Sequence, residues 1–379
     1  MKIAILTPNY PRFKGDGAGT AGLFVESLAE VMRKKGHEVY IHTQEVSGFQ
    51  EVDDVVWFKW MGEKDGAKLS TFKLLNPISW VKTLSLISNG KKSLLKLIKE
   101  KQIEHCICIW AVPGGFYARH AKKKLGTPYS VWTLGADIWT YPKYPIIRGE
   151  IKKILNDADF LFSDGVKLAE DTAKLGGKEC EFLPSSRNLR DAKDIKINLD
   201  KKKKSFLFLG RYEPAKGPDV LINAICLLKE YENDFEFYLF GGGNLKEELL
   251  RKKTENKLEN VHIGEFADQE KCKAYLKECD YLVIPSRIDS IPIVLSDAMQ
   301  MECPVVATDV GDTGGLVSKY GVGLVIPSED SKKLSEAIIE MSKKERSDFK
   351  ENCKELYSMF DLENVANKYI DKLDSLRKV

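Results

Sequence analysis

Ile284-Pro285-Ser286-Arg287-Ile288-Asp289-Ser290-Ile291-Pro292-Ile293-Val294-Leu295-Ser296-Asp297-Ala298-Met299 is the stretch on which the fold turns. It leaves the apolar run Tyr281 to Ile284, crosses a polar loop and enters a helical pattern, after which Pro304 to Ala307 forms a second apolar run. A buried strand, a loop with one carboxylate, a helix with another and a further buried strand together read as a βαβ unit. Asp289 falls in the loop, and Asp297, eight positions on, lies a turn or so inside the helix. In an open α/β sheet such loops occupy the carboxyl edge of the strands, where helix N-termini present free N–H groups and anions bind. A phosphate fits the backbone there while the carboxylates take hydroxyls.

Outward from this stretch, short apolar runs alternate with amphipathic segments along the whole chain. In the first half the expected strands are Ile3 to Leu6, Val39 to His42, Val55 to Phe58, His105 to Ile109, Tyr129 to Thr133 and Phe160 to Phe162. Between them lie helical patterns such as Thr20 to Lys35, Lys91 to Lys101 and Ile146 to Asn156. The alternation lapses in the polar segment Arg187 to Lys204, which ends in four lysines. It resumes through Phe206 to Leu209, Phe235 to Phe240, Val261 to Ile263, Tyr281 to Ile284, Pro304 to Ala307 and Gly323 to Ile326. The expectation is an α/β protein of two doubly wound, Rossmann-like domains facing a cleft, at 1–190 and 205–360, joined by a linker at 191–204. A length of 379 residues accommodates two such domains. A last helix, near 361–379, has apolar positions that pack on either half.

Composition excludes several classes. With 59 basic and 56 acidic residues the net charge is +3, which gives no signal for nucleic acid. The eight cysteines include no Cys-x-x-Cys pair and read as reduced thiols. The apolar run Lys2 to Thr7 is too short for a signal peptide, and no run approaches the ~20 apolar residues of a membrane span. A cytoplasmic location is expected. Helix Lys91 to Lys101 places Leu94, Leu95, Leu97 and Ile98 between lysines, with Trp57, Trp60 and Trp80 in the same region. This pattern is either a peripheral contact with the inner face of the cell membrane or a surface helix with its stripe in the core.

Further motifs gather at strand ends. Gly210-Arg211-Tyr212-Glu213-Pro214-Ala215-Lys216-Gly217 follows a strand directly, with two fixed cations at the mouth of the cleft. Gly241-Gly242-Gly243-Asn244 follows another, and three glycines suit close approach of a nucleotide. Gly17-Ala18-Gly19-Thr20-Ala21-Gly22 matches the letters of the dinucleotide fingerprint. However, Pro8 to Asp16 separate it from the first strand and the acid expected after the second strand is missing, so a nicotinamide reading is disfavoured. Asp157-Ala158-Asp159 reads as a helix-end turn rather than a metal pair, and no metal or cofactor is expected.

The stretch from Asp289 to Val306 resembles the donor-site signature of the retaining glycosyltransferase family 4, in which two glutamates with seven residues between them flank such a loop. Here both acids are Asp, the Ala298-Met299 pair and the Pro304-Val305-Val306 strand are kept, and Cys303 stands where the family usually has Gly. Gly311-Asp312-Thr313-Gly314-Gly315 lacks the acid of the family's Gly-Gly-x-x-Glu turn, and Pro292 lies where Gly is frequent. Thr133-Leu134-Gly135-Ala136-Asp137 resembles its His-Gly-x-Asp segment with Leu134 in place of the histidine. Gly36 to Val39 matches its Gly-His-Glu-Val, while Pro184-Ser185-Ser186-Arg187-Asn188 replaces a Pro-Asn-Gly turn.

The resemblance implies the two-domain GT-B architecture, with the last helix crossing back to the first domain. It implies metal-independent transfer, with retention, of a sugar from a nucleotide-diphosphate sugar to a hydroxyl of a glycan or lipid-linked saccharide, as in polysaccharide biosynthesis. Arg211, Lys216 and Asp289 are the implied catalytic residues. The donor would contact Gly17, Gly19, Gly210, Gly241, Gly242, His262, Ile263, Ser290, Ile291, Ile293 and Val294, with Asp297 on the ribose. Gly135 and Asp137 fall on the sugar or acceptor side. The departures at Leu134, Asp289, Asp297 and Gly315 also suit a nucleotide-sugar-binding protein without turnover.

Overall fold

The computed structural model describes residues 1–13, 16, 22–63 and 76–376. The chain divides into two compact units, Met1–Leu183 with Ala366–Val379, and Pro184–Val365. The second unit therefore starts ahead of the polar stretch expected as a linker, which lies within it.

The first unit holds β1 (Lys2–Leu6), α1 (Leu23–Lys34), β2 (Glu38–Gln44), β3 (Val55–Phe58), α2 (Pro77–Lys101), β4 (His105–Ile109), α3 (Gly114–Leu125) and β5 (Tyr129–Thr133). It continues through α4 (Ala136–Trp139), α5 (Pro145–Asp157), β6 (Phe160–Ser163), α6 (Val166–Gly176) and β7 (Glu181–Phe182). Its sheet runs β3-β2-β1-β4-β5-β6-β7, parallel at each pairing. The β4 and β5 runs, HCICI and YSVWT, are buried at every position, as befits strands covered on both faces.

The second unit comprises β8 (Lys204–Leu209), α7 (Pro218–Cys226), β9 (Phe235–Phe240), α8 (Lys246–Glu255), β10 (Val261–Gly264), α9 (Gln269–Glu278) and β11 (Tyr281–Ile284). It is completed by α10 (Ile293–Gln300), β12 (Val305–Thr308), α11 (Thr313–Tyr320), β13 (Gly323–Ile326), α12 (Ser331–Ser342) and α13 (Lys350–Phe360). The strand order is β10-β9-β8-β11-β12-β13, again all parallel. Phe206 anchors the core, stacked on Phe237 at 5.4 Å between ring centroids and packed against Phe235 and Tyr281 at 5.5 and 5.2 Å.

One helix of the first unit extends well beyond the sequence reading. Helix α2 begins at Pro77, a full 25-residue element, capped by the Asn76 side chain on the Ile78 N–H. Its first half was illegible because Ile78, Trp80, Val81 and Leu84 stay exposed and Gly90 interrupts the pattern. That glycine is needed for packing, since a Cβ on it would lie 2.5 Å from the Tyr117 ring. In the second half Leu94, Leu97 and Ile98 are buried in the core, so the stripe between Lys91 and Lys101 is not a membrane face. No helix among the described residues is long and apolar enough to cross a membrane.

The last helix, α14 (Leu362–Leu376), joins the first unit from Ala366 onward. Tyr369 is fully buried, 4.8 Å from the Phe162 ring and stacked on Trp132 at 6.2 Å. Its hydroxyl meets Ser130 Oγ, which in turn lies 3.0 Å from His105 Nε2. Removing so large a buried ring leaves a cavity the strands cannot close. We expect Tyr369→Ala to cost about 3–5 kcal/mol in urea unfolding, against roughly 1 kcal/mol for Tyr369→Phe, which keeps the ring.

Candidate functional site

In the second sheet β8 pairs with β9 on one side and β11 on the other, so strand order reverses between β8 and β11. The loops leaving these two strands then diverge to opposite faces and open a crevice at their carboxyl ends. After β8, the Gly210 N–H donates to Phe240 O at 3.1 Å and the Tyr212 N–H to Gly242 O at 2.9 Å. The buried Tyr212 hydroxyl lies 2.8 Å from the carbonyls of both Leu239 and Gly264. One aromatic side chain thereby fastens the loops after β8, β9 and β10, including Gly241 and Gly242.

Across the crevice, Lys216 Nζ donates to both Asp289 oxygens, at 2.8 and 2.6 Å, and Ser286 Oγ donates to Asp289 Oδ2 at 2.9 Å. The pair is partly open, with 24% of the lysine and 15% of the aspartate side chain exposed. Two glycines permit this approach. Gly217 has φ +64°, and a Cβ there would fall 1.9 Å from Pro285 O. At Gly311, with φ +56°, a Cβ would lie 2.2 Å from Asp289 O and 2.4 Å from Ser290 O.

Arg287 braces the same loops. It donates to Pro214 O at 2.7 Å and grips both oxygens of Asp219, at 2.8 and 2.7 Å. Ser286 and Arg287 stand within three residues of Asp289 in the quoted stretch, yet nothing in the local spacing marks either as part of the site.

Around the Lys216–Asp289 pair, polar groups remain unspent. Arg211 is exposed on the loop after β8, and no described carboxylate pairs with it. Helix α10 starts after Pro292 without a side-chain cap, leaving the first-turn N–H groups of Ile293 and Val294 open. Ser290 and Ile291, next to them, are buried, and among the described residues the hydroxyls of Ser290 and Thr313 have no hydrogen-bond partner. Arg211, the open helix N–H groups and these hydroxyls on one sheet edge are groups that could receive an anion, as Lys216 could if it left Asp289.

Asp297 does not join them. It is fully buried, and Arg187 Nε donates to both its oxygens at 3.1 Å while Nη2 donates to Oδ2 at 2.6 Å. Burial raises the Asp297 carboxyl while Arg187 pulls it back. Burial likewise works against the charge on Arg187, but the Asp297 carboxylate prevails and holds the guanidinium above its ordinary value. Gln300, one turn on, donates to Arg187 O at 2.9 Å and accepts the N–H groups of Leu189 and Arg190 at 2.7 and 2.9 Å. The ribose role expected for Asp297 is therefore corrected: its carboxylate fastens the Arg187–Arg190 segment to α10.

Other expected residues are also placed differently. His262 sits on β10, the edge strand, stacked on Tyr238 and 2.6 Å from Glu236 Oε2 near the start of β9, away from the carboxyl edge. Ile263 packs against the unit's core. In the first unit Asp137 is fully buried and accepts the N–H groups of Ala111, Leu134 and Gly135 at 2.9, 3.2 and 3.1 Å. Burial, opposed by these donors, lifts its carboxyl to about 6. It ties the loops after β4 and β5 together instead of offering oxygens to a sugar. Gly17 and Gly19 lie outside the described residues. Asp157 and Asp159 are taken by Arg119 and Lys122, each at 2.6 Å.

Residues 190–356 match the family model for glycosyl transferases, group 1. That segment contains the crevice but not Arg187. An uncharacterised glycosyltransferase of Methanocaldococcus jannaschii is 31% identical over 162 residues, which is 42% of this chain. The chain spans 45% of the length of that curated relative. Among solved structures, sucrose-phosphate synthase from Thermosynechococcus elongatus superposes with a TM-score of 0.77 at 17% identity, over 100% of this chain and 99% of that one. Anabaena HepE in complex with UDP-glucose gives 0.74 at 16% identity, over 99% and 100%. The chain has the two-unit α/β fold of the GT-B class.

The buried pair makes a clear energetic forecast. Asp297→Ala should cost about 3–5 kcal/mol in chemical unfolding, because it strands a buried guanidinium. The double variant Arg187→Met with Asp297→Leu should recover most of that loss. Two single losses that simply add would contradict the pairing.

Proposed function

We propose that the crevice of the second unit binds a nucleoside diphosphate sugar and that the chain transfers the sugar, with retention and without a metal, to a hydroxyl of a glycan or lipid-linked saccharide. The observation that carries this reading is the Lys216–Asp289 pair at the point where strand order reverses, beside the unpaired Arg211 and the uncapped start of α10. The group 1 match across residues 190–356 supports it, as does the shared fold with a protein solved with UDP-glucose.

In the reaction, the bond between the anomeric carbon and the β-phosphate oxygen breaks, and the acceptor oxygen bonds to that carbon on the same face. The acceptor proton passes to the departing diphosphate. Negative charge grows on the leaving oxygen as the sugar becomes oxocarbenium-like. Lys216 and Arg211 attract that charge more strongly as it grows, which lowers the barrier beyond what binding alone would. Lys216 transfers its contacts from Asp289 to the diphosphate, and the released Asp289 takes a sugar hydroxyl. Two cations and the α10 N–H groups of Ile293 and Val294 do the work a divalent ion would otherwise do.

A binding protein without turnover is the second reading, favoured by the closure of Asp297 onto Arg187 and by Leu134 at the place of the resembled family's histidine. Release of nucleoside diphosphate from a panel of nucleotide sugars separates the two, since a binding protein releases none. Arg211→Ala should lower turnover by on the order of 10² while leaving the unfolding midpoint unchanged. Wild-type rates in that variant would remove Arg211 from the chemistry.

A further inference from the structure

A groove of about 660 Å³ lies in the first unit between α4, the start of α5 and the end of α6. Its floor is apolar, made by Ile138, Trp139, Pro142, Pro145 and Leu175. Its walls carry Lys143, Arg148, Lys152 and Lys174. The one carboxylate lining it, Asp171, is already engaged, accepting from Trp139 Nε1 at 3.0 Å and from Lys174 at 3.4 Å. Among the described residues no carboxylate pairs with Lys143, Arg148 or Lys152.

Three uncompensated cations over an apolar floor hold a local positive potential that a neutral occupant would not satisfy. Arg148 and Lys152 stand one turn apart on the same face of α5, with Cβ atoms about 6 Å apart, while Lys143 lies ahead of them and Lys174 opposite on α6. The charges are thus contributed by three separate elements lining the groove, which suits an occupant bearing more than one anion. The floor, with a half-buried indole and two proline rings, suits the C–H faces of sugar rings. We propose that this groove binds an anionic saccharide, one with carboxylates or phosphates repeated along it. Resting on the glycosyl-transfer reading above, that saccharide is the acidic stretch of the acceptor.

The test measures binding to the full chain by calorimetry at low ionic strength, with hexagalacturonate, uncharged maltohexaose and inorganic tripolyphosphate as probes and no nucleotide sugar present. Hexagalacturonate should bind and maltohexaose bind at least tenfold more weakly. The triple variant Lys143→Gln, Arg148→Gln, Lys152→Gln should lose roughly tenfold in affinity for hexagalacturonate while its Tm stays at the wild-type value. Unchanged affinity in the triple variant would overturn the proposal. So would equal binding of maltohexaose, and tripolyphosphate or anionic vesicles binding through the same three residues while hexagalacturonate does not. If the triple variant unfolds, Lys152→Gln alone replaces it and should weaken hexagalacturonate binding measurably; no change there would also overturn the proposal. The response of Tm to nucleotide sugars, recorded separately, reports on the second unit's crevice, so failure of the groove to bind an anionic saccharide is distinguished from failure of the glycosyl-transfer reading, which would remove only the groove's assignment to the acceptor.

Discussion

The ion pair between Lys216 and Asp289 depends on a backbone approach that only glycine allows. With Gly217 against Pro285 O and Gly311 against the carbonyls of Asp289 and Ser290, the loops after β8, β11 and β12 close on one another without side chains between them. Their convergence at the reversal of strand order sets the lysine over the carboxylate and leaves the N–H groups of α10 facing the same edge. A larger residue at either glycine would force the loops apart and disperse the charges that the proposed chemistry concentrates.

A second ion pair serves a different end. Arg187 and Asp297 are almost wholly withdrawn from solvent, at 6% and 0% side-chain exposure, where removing two charges from water offsets much of their attraction. Such a pair contributes little net stability but strongly penalises any arrangement that separates it. With Gln300 binding the backbone of Arg187, Leu189 and Arg190, it fixes how the chain enters the second unit and joins α10. A glutamate at 297 would carry its oxygens one methylene further and crowd the guanidinium. The shorter acid and the arginine therefore fit as a matched set.

These two pairs also mark the limit of what the sequence conveys. The parallel strands were legible because burial on both faces writes continuous apolar runs such as Phe206 to Leu209 and Tyr281 to Ile284. The Gly210 to Gly217 loop and Asp289 were legible because glycine and charge sit at fixed offsets from strand ends. Asp297 was not, because the residue that captures it is 110 positions away and nothing local distinguishes a buried carboxylate from a presented one. The same holds for Asp137, whose partners are backbone N–H groups of the loops after β4 and β5, and for His262, diverted by a cross-strand glutamate. The two-residue β7 is too short to leave a periodic signal.

Hydrogen exchange on the full chain, with and without the nucleotide sugar that most raises its Tm, tests the central claim most directly. The account predicts slower exchange of backbone amides at 210–217 and 289–295, where the loops and the start of α10 receive the diphosphate, and no change at 187–190, already fastened by Gln300 and Asp297. Unaltered exchange at 210–217 and 289–295 under saturating ligand would contradict it.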